Sequence, residues 1–291
     1  MYFLFSVLGI GGVICLVAAI IPAIVLMRYI YKKDAIEKEP TNLLLKLVGF
    51  GVLSALIAMV LETVGEMILY GFVPEDLPVY PVFYAFLVVA TAEEGMKFLL
   101  MKKATWKHPA FDFKFDAIVY AVFCSLGFAG FENIFYVFEY GLSTAVIRAF
   151  ISVPGHMAFA VIMGYFYGVA KQFEQMGDRK ACRKYLWTAF ISSSLLHGFF
   201  DACLMLESIA SIIIFFIFIV VFYIIIFMLI KREANNDHII INTDTENMNL
   251  QKVQQERMDK NGSAPMTFHQ INQVYSNPDL LNPYDLTNDP K

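Results

Sequence analysis

Again and again this chain offers apolar runs near the ~20 residues that an α-helix needs to cross ~30 Å of hydrocarbon. They cover residues 2–29, 43–70, 82–101, 115–138, 145–170, 185–206 and 209–230. In lipid, every backbone N–H and C=O must find its partner within the protein, and segments of this length satisfy that as helices. The expected fold is therefore all-α: a polytopic membrane protein, a bundle of about seven transmembrane helices over residues 1–232. Composition agrees, with 58% hydrophobic and only 16% charged residues where soluble domains carry about 25% charged. The first run lacks a basic n-region and is longer than the ~7 to 15 residues of a signal-peptide core, so it is read as a retained helix.

From residue 233 the composition turns polar, rich in Asn, Asp and Gln with scattered prolines. Too few apolar side chains remain there to offset the entropy of ordering, and residues 233–291 are expected to form a mostly disordered cytoplasmic tail. Basic residues set the orientation of the rest. They gather after the first, third, fifth and seventh runs, as in Arg28, Lys32 and Lys33, Lys102 and Lys103, Arg179 and Lys180, and Lys231 and Arg232. The stretch 71–81 carries none. By the positive-inside rule the N-terminus is outside and the C-terminus cytoplasmic. Nucleic acid is excluded as a partner, since the bases cluster in membrane-flanking loops. The four cysteines show no CxxC spacing and read as small apolar residues rather than a disulfide or thiolate zinc framework.

Against this background, charges inside the apolar runs stand out. Each costs at least ~2.5 to 3.5 kcal/mol at the centre of a helix, so an intramembrane ionisable group is a functional hypothesis. Glu93 and Glu94 are adjacent, with Lys97 at i+4 and i+3, placing one ammonium within reach of both carboxylates. His197 and Asp201 share a face of the sixth run at i and i+4, so that the acid can orient the ring. Glu132 and Tyr136 repeat that spacing on the fourth, with Asn133 beside them, and His156 follows Pro154 and Gly155 on the fifth. Carboxylates and imidazoles on four runs are the inventory of acid–base or metal-assisted chemistry. A proton relay or ligand site in a transporter or sensor would use the same inventory, and Glu62 and Glu66 extend the acidic set into the second run.

Three motifs in order, Glu93-Glu94-x-x-Lys97, Phe131-Glu132-x-x-x-Tyr136 and His197-x-x-x-Asp201, resemble the signature of the PrsW family of bacterial intramembrane proteases. That family is similar to the larger group of type II CAAX prenyl proteases and bacteriocin-immunity membrane proteins. The resemblance covers residues 82–201 with motifs. It implies a hydrolase of the bacterial cell membrane that makes the first cut in a membrane-anchored anti-sigma factor, near its extracytoplasmic face, in a stress-response cascade. It also implies that Glu93 and Glu94 match the family's paired essential glutamates and His197 its essential histidine, with His156 a further site residue.

Peptide hydrolysis within a bilayer requires that water be admitted, activated and aimed. The favoured scheme makes one of Glu93 and Glu94 the general base, Glu93 ahead of Glu94, and the other its partner held by Lys97, with His197 and His156 positioning water or the oxyanion and Asn133 or Tyr136 assisting. No cofactor is favoured. A zinc version stays open, with His156, His197 and either Glu94 or Glu132 as ligands, although the sequence lacks the HExxH spacing.

Overall fold

A computed structural model of the chain describes residues 9–240, and these are almost entirely helical. No strand occurs among the described residues, only one isolated antiparallel bridge between Phe113 and Ile239. The helices α1 (Ile10–Lys33) and α2 (Thr41–Tyr70) come first. A three-part helical run follows: α3 (Tyr80–Phe83), a π-helical turn (Tyr84–Val89) and α4 (Ala90–Thr105). Then come α5 (Asp116–Tyr140), the short α6 (Leu142–Phe150), α7 (Ser152–Gln175), α8 (Arg179–Met205) and α9 (Ile209–Asn235).

Among the described residues six helices are long and apolar enough to cross a membrane, counting α6 and α7 as one. The remaining apolar run, 82–101, is helical throughout, but the π turn interrupts it and Glu93, Glu94 and Lys97 lower its hydropathy. The run 145–170 is divided at Ile151 (φ -115°, ψ -68°). Pro154 lies three residues beyond and has no N–H to continue the ladder from the preceding turn. The Ile151 carbonyl accepts from Gly155 N at 3.0 Å, the ordinary helical bond, and also from the Tyr223 hydroxyl at 2.5 Å.

At the centre stands α5, buried without a break from Asp116 to Gly130. A helix apolar on all sides belongs in the middle of a bundle, and α5 packs against α1, α2 and α7. Its closest neighbour contact is made by glycine. A Cβ at Gly127 would run into the Val48 backbone of α2, and one at Gly51 would meet the Phe128 amide at 2.6 Å, so the two backbones touch. Membrane helices associate by such packing because lipid offers no hydrophobic drive between them. The outward faces are hydrocarbon-like, as with Ile213, Ile217 and Val221 of α9, at least half exposed.

One end of the bundle is tied by polar contacts between connections. Tyr120 of α5 donates to Glu39 at 2.7 Å, Phe115 N donates to Asp237 at 2.9 Å, and Lys114 pairs with Glu233 at 2.9 Å. Most of the basic side chains cluster at this end, hereafter the basic end. Past residue 232, α9 continues to Asn235, and Ile240 N donates to the Asp112 carbonyl at 2.6 Å. The remainder of the polar tail, from residue 241, lies outside the described residues.

Candidate active site

The helix α4 turns Glu93, Glu94 and Lys97 inward, where they are 4%, 0% and 1% exposed. As the i+4 and i+3 spacing requires, Lys97 Nζ donates to Glu93 Oε2 at 2.9 Å and to Glu94 Oε1 at 2.8 Å. The same ammonium lies 3.3 Å from His156 Nδ1 and 3.8 Å over the Phe128 ring. From α8, His197 brings Nδ1 to within 3.0 Å of Glu94 Oε1, while its Nε2 lies 3.2 Å from Asp201 Oδ2. The His197 ring stacks on Phe159 at 4.8 Å, and together these contacts fix its plane. Asp201 thus lies against the ring nitrogen that faces away from Glu94.

On the other flank, His156 Nε2 lies 3.1 Å from Glu132 Oε2. Glu132 in turn accepts from Arg148 Nη2 at 2.7 Å, and Arg148 Nε donates to Asn133 Oδ1 at 2.8 Å. A continuous polar chain therefore crosses the bundle from α6 to α8: Arg148, Glu132, His156, Lys97, the two glutamates, His197. Asn133 anchors α5 to α1 through the Ala19 carbonyl at 2.8 Å and steadies Arg148. Tyr136 lies under the Arg148 guanidinium at 3.9 Å and is 39% exposed. Asn133 and Tyr136 support the far end of the chain instead of touching the glutamate pair.

Arg148 is the residue that sequence reasoning missed. It sits within the run 145–170, and the rule that singled out Glu132 and His156 applies equally to a lone arginine there. Glu62 of α2, half-buried, is within electrostatic reach of Glu93 and Glu132.

Five carboxylates in this region, counting Glu62 and Asp201, face two fixed cations, Lys97 and Arg148. The imidazoles, a proton or a divalent cation must balance the rest. Removing one partner of such a buried set leaves a charge uncompensated, at about 3–5 kcal/mol. Access is graded. The side chains of Glu132 and Asp201 are 23% and 17% exposed, against 6% for Glu93 and 0% for Glu94, so the chain is least covered at Glu132 and Asp201. Glu132 lies about 12 Å from the end of α5, in the half of the bundle away from the basic end.

The donor set also fits a metal ion. One atom each from Glu93, Glu94, His156 and His197 lies within 4.8 Å of the others, all buried. Glu94 Oε2 is buried with no hydrogen-bond partner. Carboxylate and imidazole donors suit a catalytic zinc. Glu93, not Glu132, completes the group, because Glu132 is turned toward Arg148. Lys97 Nζ lies close to three of the four donors, so a divalent cation there would displace the ammonium.

The family described as PrsW family intramembrane metalloprotease matches residues 39–230, a stretch that holds every residue of the polar chain from Arg148 to His197. The chain belongs to the PrsW family. Among its relatives is the protease PrsW of Geobacillus kaustophilus, 36% identical over 188 residues, 65% of this chain and 78% of that protein. The protease PrsW of Clostridioides difficile is 36% identical over 199 residues, 67% and 81% of the two chains. That of Bacillus subtilis is 34% identical over 187 residues, 64% and 81%. No solved structure matches the chain. As a PrsW-family member it is a multi-pass membrane hydrolase, an intramembrane protease that acts on a membrane protein. The carrier reading of the same carboxylates and imidazoles gives way to this assignment.

Proposed function

We propose that the Glu93, Glu94, His156 and His197 cluster is the peptidase centre and that Glu93 is its general base. The observation that carries this is the 3.0 Å approach of His197 to Glu94 from a separate helix, with Lys97 against both carboxylates and His156 against Lys97. Glu94 is held by both Lys97 and His197, whereas Glu93 is held by Lys97 alone at hydrogen-bond distance and is the more exposed of the two. In the proposed reaction Glu93 takes a proton from water as the water oxygen bonds to the scissile carbonyl carbon. Lys97 and the imidazoles stabilise the resulting oxyanion in a site where few water molecules compete. Collapse breaks the C–N bond, and the proton on Glu93 passes to the departing amine, leaving a carboxylic acid and an amine, between which the remaining water proton then transfers. When a divalent cation is bound, Glu94, His156 and His197 would hold it with Glu93 beside it as base, and it would supply Lewis-acid activation of water.

The basic end belongs in the cytoplasm under this proposal, with the N-terminus outside, which puts the glutamates in the outer half of the bacterial cell membrane. The substrate is a membrane-anchored protein with one spanning helix, an anti-sigma factor being the expected kind, cut near its outer face. The test uses the purified full chain and a tagged single-pass substrate in detergent. Glu94→Gln or Glu93→Gln should lower the cleavage rate by about 10²- to 10⁴-fold while leaving the thermal unfolding profile cooperative. Cleavage that persists in the doubly substituted protein would overturn the assignment, and activity that survives stringent chelation would remove the metal-bound form.

A further inference from the structure

Away from the catalytic chain, a cleft of about 370 Å³ opens on the outside of the bundle between α4 and α8. Its walls are apolar, formed by Phe98, Leu99, Leu186 and Phe190, and its volume falls in the ~300–1,000 Å³ range of ligand pockets. Two cations stand at one end of it: Lys102 in the last turn of α4 and Arg183 in the second turn of α8. Neither makes an ion pair among the described residues, whereas Lys97, Lys114, Arg148 and Lys171 all do. Glu174, an acid near this end, is already engaged by Lys171 at 2.6 Å and by the Trp106 indole at 2.8 Å. The cleft thus offers unneutralised positive charge at the membrane surface and a hydrocarbon-lined slot leading inward from it.

We infer that this cleft is a binding site for an anionic phospholipid of the leaflet at the basic end. Its phosphate would sit between Lys102 and Arg183, and the upper part of an acyl chain would lie along Phe98, Leu186 and Phe190. Charge complementarity argues for this occupant, since basic pockets between spanning helices recruit anionic headgroups. A zwitterionic lipid leaves the two cations less well matched, and an apolar segment of polypeptide leaves them unmatched. The inner wall of the cleft is Gly95, the residue between Glu94 and Met96, and the Phe190 ring lies 3.4 Å from where its Cβ would be. The lipid therefore packs between the helix that bears Glu93 and Glu94 and the helix that bears His197. The inference does not depend on the direction of the protein in the membrane or on the proteolytic step.

Trp187 lines the cleft and is 63% exposed, and the chain has 2 tryptophans, so Trp106→Phe leaves Trp187 as the sole emitter. In nanodiscs, brominated phosphatidylglycerol should quench this emission at about tenfold lower mole fraction than brominated phosphatidylcholine. Adding Lys102→Gln and Arg183→Gln should bring the two lipids to equal potency. Native mass spectrometry of the otherwise unmodified chain gives a second reading: phosphatidylglycerol adducts present on the parent and on Glu94→Gln should be lost from Lys102→Gln/Arg183→Gln. Equal quenching by both lipids with the two cations intact, or adducts unchanged in the double variant, would overturn the proposal. Quenching that ignores headgroup charge but is relieved by a single-pass peptide would overturn it too, and would assign the cleft to polypeptide.

Discussion

A guanidinium grips two acceptors at fixed geometry where an ammonium offers one compact charge, and Arg148 uses that fork on Glu132 and Asn133. Glu132 holds His156, and His156 reaches Lys97, so the arginine acts on the glutamate pair through others and is a positioning residue. Partners of this kind commonly cost 10- to 100-fold when removed. Arg148→Lys, which keeps the charge and loses the fork, should lower kcat about 10-fold with KM little altered, and should displace the pH optimum from that of the parent. A loss of rate that only follows the folded fraction, with an unmoved pH profile, would reduce Arg148 to a structural tie. At this scale much of the site was legible. The spacing of Glu93, Glu94 and Lys97 dictates one ammonium bridging two carboxylates, and that is what the side chains do. The 16-residue separation of Arg148 from Glu132 carries no such dictate, because it depends on the turn at Gly141 (φ 86°) that separates α5 from α6.

Among elements, the contact between α2 and α5 is the one that tolerates least. Gly127 sits against the backbone of Val48, which has no rotamer to give, so Gly127→Val should destabilise by at least the ~1–3 kcal/mol of ordinary overpacking. Gly49, on the same helix, has nothing within 4 Å of its would-be Cβ, and Gly49→Ala should be neutral or gain up to ~1 kcal/mol of helix propensity. Thermal unfolding in detergent compares the two directly, and equal effects would dispose of the close-contact account. The apolar runs show where these helices lie to within a few residues. They do not show which glycine meets which backbone, since that depends on crossing points set by the whole bundle. Nor does hydropathy reveal the π turn at Tyr84–Val89, just before the glutamates, although such turns often accompany functional sites.

Over the whole molecule, the basic end is expected to respond to pH independently of the polar chain. In the connection between α1 and α2, burial pushes Asp34 up to about 6 and Glu39 up to about 7. The folded protein therefore holds protons there that the unfolded chain has released. The stability they contribute is present below the unfolded pKa near 4, and it declines as pH rises toward the folded values. Glu39→Gln keeps the acceptor for Tyr120 and removes the titration. It should flatten the fall in melting temperature between pH 5 and pH 8 and raise stability at pH 8 by about 2 kcal/mol. A melting temperature that rises over that interval would contradict the account. None of this was legible beforehand, because the pairing of Glu39 with Tyr120 spans 81 positions and leaves no local pattern.

Glu94 is sealed and Glu93 nearly so, and a polypeptide is far wider than a water molecule. With this pair as the proposed peptidase centre, the described conformation is shut to a polypeptide. Helices must part before any bond is reached, which guards neighbouring membrane proteins from stray hydrolysis and makes the opening, more than the basicity of a glutamate, the step that chooses a substrate.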